Sequence, residues 1–170
     1  PQLSSELERS FENIYVIGEL GGLALIRNAV NQGARVAKSI QAKLNGSTPS
    51  QPIVVVGAGP AGLSCTISLK EMGLPVVLLD QSEPGGTILQ YPRRKLVMVQ
   101  PIEMPGYGEM ANSEYSKEEL LEIWDNIFES HSPDFRRGHQ LQAIEKDGAG
   151  YKITTSMGGF SSEYVVLALG

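Results

Sequence analysis

IVVVGAGPAGL, residues 53–63, carries the reading of the fold. Four β-branched residues, Ile53 to Val56, make a buried-type strand that runs straight into GAGPAG. A helical pattern through Met72 follows, then a second apolar run from Pro75 to Leu79 that ends at Asp80. In a GxGxxG turn of this kind Gly57 permits the tight bend, Gly59 lets a pyrophosphate approach the backbone, and Gly62 lets helix and strand pack closely. Pro60 and Ala61 sit at the helix entrance, where unpaired N–H groups and the positive dipole end suit an anion. Asp80 lies 23 residues after Gly57, where a carboxylate can accept the hydroxyls of an adenosine ribose, with Gln81 beside it. An acid there disfavours a 2′-phosphate. These residues predict a dinucleotide-binding βαβ unit in a parallel α/β sheet.

Working outward, NIYVI, residues 13–17, reads as a short strand, followed by Gly18, Glu19 and a long helical pattern. Leu23, Ile26, Val30, Gly33, Ala37, Ile40 and Leu44 recur at three- and four-residue steps. Gly33 weakens such a helix by about 1 kcal/mol against alanine, which points to close packing against another backbone. NGSTPSQP, residues 45–52, reads as a linker. The long Gly- and Pro-rich stretch from Pro84 to Gly108 contains one strand-like run, KLVMV, and segments of that length are usually functional. Ser116 and Glu119 form a capping box, and Leu120, Leu121, Trp124, Ile127 and Phe128 make the apolar stripe of the helix it opens. Residues 140–146 and 151–155 flank DGAG as a hairpin with a turn longer than two residues, and residues 164–169 form a last buried strand.

At 170 residues and 41% apolar composition, one domain with a real core is expected. The net charge of −5 argues against a nucleic-acid or anionic-membrane surface. No run approaches the length of a membrane span, and no signal pattern opens the chain. Cys65 is the single cysteine, so there is no intrachain disulfide and no CxxC pair; a cytoplasmic setting is expected. Cys65 reads as a small buried residue, and His131 and His139 have no carboxylate spacing that suggests acid–base work. Pro1 suggests an excised or engineered chain.

Four stretches together resemble the FAD-binding domain of thioredoxin-reductase-like pyridine nucleotide-disulfide oxidoreductases: IVVVGAGPAGL, the acid followed by Gly85, Gly86 and Thr87, the terminal VVLALG, and IYVIGELGG with its helix. The resemblance implies a Rossmann-like domain with a central parallel sheet, helices, and an antiparallel β-meander on one face. It implies FAD as cofactor, with Gly86 and Thr87 along the pyrophosphate, Ala168 to Gly170 passing near it, and Leu141 meeting the adenine through its backbone. Gly18 and Glu19 stand where the family has a GD element at the ribityl chain. Glu19 replaces the aspartate. The helix start near Leu23 and Ala24 would face the flavin and favour its anionic reduced form. GGTILQYPRRKLVM is similar to a subgroup often joined to ferredoxin or cyclic-nucleotide modules, so Arg93, Arg94 and Lys95 are weak candidates for cofactor contact beside the reading of a solvated loop. Tyr91 and Tyr107 are candidates for stacking on the flavin ring.

The chain departs from the family in four further ways. Ala61 stands where bacillithiol-type reductases carry a cysteine, and the CxxC of thioredoxin reductases is missing. A second GxGxxG, the mark of a nicotinamide-binding domain, is also missing. Most tellingly, the order is permuted: residues 1–44 resemble the family's closing segment, and residues 53–170 its opening one. The expectation is a single FAD-binding domain, 1–170, of a flavin-dependent oxidoreductase, without full NAD(P)H turnover by itself. A separate nicotinamide-binding or ferredoxin-type domain and a homodimer are the partners the family suggests. The competing readings are a non-catalytic NAD- or nucleotide-sensing module and a scaffold with an empty cleft. If the two segments fold together, the strand at Asn13 to Gly18 should join the sheet that contains Ile53 to Val56.

Overall fold

The computed structural model of the chain describes residues 11–18, 26–99 and 101–169. In chain order its elements are β1 (Ile14–Val16), α1 (Ile26–Leu44), β2 (Ile53–Val56), α2 (Pro60–Glu71), β3 (Val76–Asp80), a 3₁₀ turn (Gly86–Gln90), β4 (Leu96–Met98), β5 (Ile102–Met104), β6 (Gly108–Met110) and β7 (Glu114–Ser116). There follow α3 (Lys117–His131), β8 (Phe135–Arg137), β9 (Leu141–Asp147), β10 (Gly150–Thr155), β11 (Gly158–Ser162) and β12 (Val165–Leu167).

The five-stranded sheet has the order β1-β12-β2-β3-β8, and all its pairings are parallel. Tyr15 lies beside Val166, which lies beside Val55, so β1 and β2 share one sheet with β12 between them. The four strands β1, β12, β2 and β3 bury both faces, because the pleat sends alternate residues to opposite cores, whereas the edge strand β8 keeps Arg136 and Arg137 exposed. Ile53, Val55, Leu78, Val166, Tyr15 and Ile17 meet the helices, together with Val36, Ala37 and Ile40 of α1 and Cys65 and Leu69 of α2. Val54, Val56, Val77, Leu79, Val165 and Ile14 meet Tyr151 and Ile153 of the meander β9-β10-β11. The steps from β1 to β2 and from β2 to β3 run the same way across the sheet. Crossovers of one hand therefore put α1 and α2 on the same face, where they pack together.

The excursion after β3 has a core of its own. Trp124, Leu120 and Ile123 of α3 pack on Leu63 and Ile67 of α2 and on Ile88, Val97, Val99 and Met104. Two short antiparallel ladders, β4 with β7 and β5 with β6, complete it. The capping box at Ser116 is formed in both directions, with Glu119 N donating to Ser116 Oγ at 3.1 Å and Ser116 N to Glu119 Oε2 at 2.6 Å.

Three details differ from the sequence reading. The hairpin turn has two residues, since Asp147 pairs with Gly150, and Gly148 takes the left-handed first position with φ +59°. Strands β8 and β11 carry little apolar alternation and escaped the pattern. β8 is held at the sheet edge by its backbone, with Leu78 N donating to Asp134 O, and by Phe135 packing edge-on against Phe128 at 5.5 Å. Excursion residues 102–116 hold three further strands, whose shortness hid their period.

Candidate nucleotide-binding cleft

β2, β3 and β12 end side by side, and the glycine loop rises between them. Gly57 N donates to Leu79 O and Ala168 N to Val56 O, both at 2.8 Å. Gly57 has φ +108°, and a Cβ there would collide with the Ala168 carbonyl; a Cβ on Gly62 would collide with the Gly57 carbonyl. Both glycines thus serve packing. Gly59 differs, for its φ of −78° suits any residue and its outer side meets nothing nearer than Gly86 Cα at 3.9 Å. As the N-cap of α2, Gly59 brings no side chain to the helix end, and Pro60 brings no N–H. The first-turn amides of Ala61 and Gly62 precede the first intrahelical bond, Leu63 N to Gly59 O at 2.9 Å.

Asp80 braces this loop. Its Oδ2 accepts from Ala58 N at 2.7 Å and its Oδ1 from Ser82 N at 2.9 Å, and each oxygen keeps a lone pair for a further donor. Ala58 O in turn accepts from Gly85 N at 2.9 Å, which draws Gly86 against Gly59. His139 N donates to Asp80 O at 3.0 Å, bringing Gln140 and Leu141 to the same strand ends.

These contacts surround a cavity of about 410 Å³. Of the residues named from the sequence, Gly18, Gly57, Gly59, Pro60, Ala61, Asp80, Gln81, Gly86, Leu141 and Ala168 line it, and Gly62 sits just behind. Glu19, Leu23, Ala24 and Gly170 lie outside the described residues, as does the Thr87 side chain. Gly18 reaches the cavity because Ile17 N donates to Leu167 O at 2.9 Å and Gly18 N donates to Gln32 Oε1 at 2.8 Å. A Cβ on Gly18 would stand 3.8 Å from Ala61 Cβ.

Tyr91 lines the cavity, whereas Tyr107 does not and is about half exposed. Arg93, Arg94 and Lys95 are exposed and do not line it, which fits a solvated loop. The sequence reading missed Ile88, Gln90, His139 and Gln140 as lining residues. Their only signal was position, after the double glycine and before a strand. His139 Nδ1 lies 2.8 Å from Thr155 Oγ1, and its ring packs edge-on against Phe160. His131 sits elsewhere, with Nε2 3.6 Å from Glu71 Oε1 and Nδ1 2.8 Å from Ser130 Oγ. Cys65 is fully buried, and burial pushes its thiol up to about 12. Among the described residues no helix is long and apolar enough to cross a membrane, and no cluster of three or more His, Cys, Asp or Glu is placed to hold a metal.

Fold and cleft together define an α/β domain of the Rossmann-like class. The family model of pyridine nucleotide-disulphide oxidoreductases matches residues 54–170, and the chain belongs to that family. Among solved structures it is similar to the bacillithiol disulfide reductase of Staphylococcus aureus (TM-score 0.62, 18% identity, 71% of this chain and 38% of that one). It also resembles a flavin-containing monooxygenase from Stenotrophomonas maltophilia (TM-score 0.61, 22% identity, 69% and 38%) and the thioredoxin reductase of T. acidophilum (TM-score 0.54, 24% identity, 71% and 35%). The chain therefore spans less than two-fifths of the length of these relatives. No curated protein sequence matches it.

Proposed function

We propose that this chain is the FAD-binding module of a flavin-dependent oxidoreductase, built as one domain from residues 1–44 and 53–170 joined by the linker 45–52. The observation that carries the reading is a shared cavity. Gly18 and the start of α1, from the opening segment, line the same space as the glycine loop and Asp80. The residues present fit the cofactor: the loop is closed by packing at Gly57 and Gly62 and open at Gly59, where a pyrophosphate needs to approach.

Each residue then has a role. The loop and the first-turn amides of Ala61 and Gly62 hold the pyrophosphate, with Gly86 and Thr87 flanking it. Asp80 accepts ribose hydroxyls, with Gln81 beside it, and Leu141 meets the adenine through its backbone. Ala168 and Gly170 pass the pyrophosphate, while Gly18, Glu19, Leu23 and Ala24 belong to the flavin end. When bound, FAD supplies the ring system that takes up hydride or electrons, and the protein supplies binding and orientation. A separate nicotinamide-binding or ferredoxin-type domain would complete the electron path, so the chain alone turns over NAD(P)H poorly. A single cysteine, with no disulfide framework in the chain, is the usage from which we take a cytoplasmic setting.

The test is a visible spectrum of the purified protein, with FAD added if it is colourless, then NADH under anaerobic conditions. Flavin absorbance that stays with the protein through desalting, and bleaches slowly with NADH, is the expected outcome. A protein that takes up no flavin refutes the reading.

A further inference from the structure

Tyr91, Gln90 and Ile88 form one wall of the cavity, and the group that holds this wall lies outside it. Lys117 Nζ donates to Leu89 O at 2.8 Å and to Tyr91 O at 2.7 Å. These carbonyls close the 3₁₀ turn Gly86–Gln90, where the turn's own ladder ends. Two further bonds join α3 to the segment that follows the 3₁₀ turn, Lys117 N to Lys95 O at 3.0 Å and Arg94 N to Glu118 Oε1 at 3.1 Å. Across the turn, Lys95 Nζ stands 4.3 Å from the centre of the Tyr91 ring.

The position of Lys117 is itself informative. It is the first residue of α3, where the helix dipole disfavours a cation. Two carbonyl acceptors at charge-assisted distance account for a lysine there, and they can be reached only by a long side chain folded back over the turn. We propose that Lys117 is a positioning residue: it clamps the Leu89–Tyr91 backbone and thereby sets the wall against which the flavin cofactor is held. This rests on the FAD reading above. Lys117 does not line the cavity, so it acts through Tyr91 and its neighbours.

Lys117→Met keeps the stem and removes the donors, and Lys117→Arg restores them. With wild type retaining FAD, K117M is expected to weaken FAD binding about tenfold or more, the scale of one or two lost charge-assisted bonds. It should also alter the shape of the bound-flavin absorbance band, and K117R should recover much of both. The combination with Tyr91→Ala should cost less than the sum of the two changes, because both act on one wall. K117M that unfolds at lower temperature yet binds FAD with unchanged affinity and spectrum would overturn the proposal. If wild type takes up no FAD, the functional reading fails by itself. The clamp is then judged by amide hydrogen exchange over residues 86–91: faster exchange in K117M supports it and unchanged exchange refutes it.

Discussion

Gly33 of α1 lies so close to Ala61 of α2 that no side chain fits between them: a Cβ at position 33 would overlap the Ala61 carbonyl and come within 2.8 Å of Cys65 N and 2.9 Å of Ser64 Cβ. Beside it, Ser64 Oγ donates to Val30 O at 2.6 Å. The helix after the first strand and the helix after the glycine loop are thus locked backbone to backbone. Gly33→Ala gains about 1 kcal/mol of helix propensity but forces the helices apart, which costs about 1–3 kcal/mol or more. The variant should therefore be less stable in urea unfolding, and a variant as stable as wild type would mean that the two segments do not pack as described.

The glycines of the loop divide by role. Gly59→Ala meets no strain and no clash, so its melting temperature should stay near that of wild type, while FAD retention falls as the methyl occupies the approach to the loop. Gly62→Ala drives a methyl into the Gly57 carbonyl and should destabilise the fold whether or not flavin is present. Thermal melts with and without FAD separate the two, and equal destabilisation of both variants would remove Gly59 from any binding role.

Asp80 has a structural part in bracing the loop, and the proposed FAD reading gives it a binding part as well. Asp80→Ala leaves the buried Ala58 amide without its acceptor, at a cost of about 1–3 kcal/mol. Asp80→Asn keeps one acceptor oxygen and should fall between. Denaturant titration measures the first part, and flavin affinity on the folded variants measures the second; D80N with wild-type affinity would exclude ribose recognition by this acid.

Cys65 is expected to be inert. With its thiol pushed up to about 12 by burial, it carries almost no thiolate at neutral pH, and the thiolate is the reactive form. Labelling with a thiol reagent should proceed only in denaturant. Stoichiometric labelling of the native protein would show that the α1–α2 contact opens.

The Arg94 amide holds the Glu118 carboxyl below its ordinary value of 4.5. A carboxylate lowered in the folded state contributes its stabilisation above its unfolded value and loses it as pH falls through the folded one. Acid should therefore weaken the Arg94 N to Glu118 Oε1 bond, seen as a shift of the Arg94 amide resonance in an acid titration, while the Lys117 N to Lys95 O bond still ties the turn to α3. Glu118→Gln should abolish that transition, and its persistence would assign it to another group.

Much of this protein is local chemistry. The strand, glycine loop and helix at residues 53–71, the acid at the end of β3, and the Ser116–Glu119 cap depend on propensity, turn geometry and short-range bonds, so the chain spells them out in order. The period of α1 announced its buried stripe and the unusual need for Gly33. Other features carry no such period. β8 is a strand because Leu78 and Asp134 meet across the whole excursion that runs from the 3₁₀ turn to α3, and Ile88, Gln90 and His139 face the cavity because Gly85 and His139 are bonded back to Ala58 and Asp80. Only the tertiary structure decides these, since bonds between distant residues leave no trace in local sequence. The same holds for the central question of order. The two segments can be read one by one from their residues, and read there as permuted, but their meeting in one sheet, with β1 beside β12 and β12 beside β2, comes from the burial of both sheet faces at once. That is a property of the packed chain as a whole.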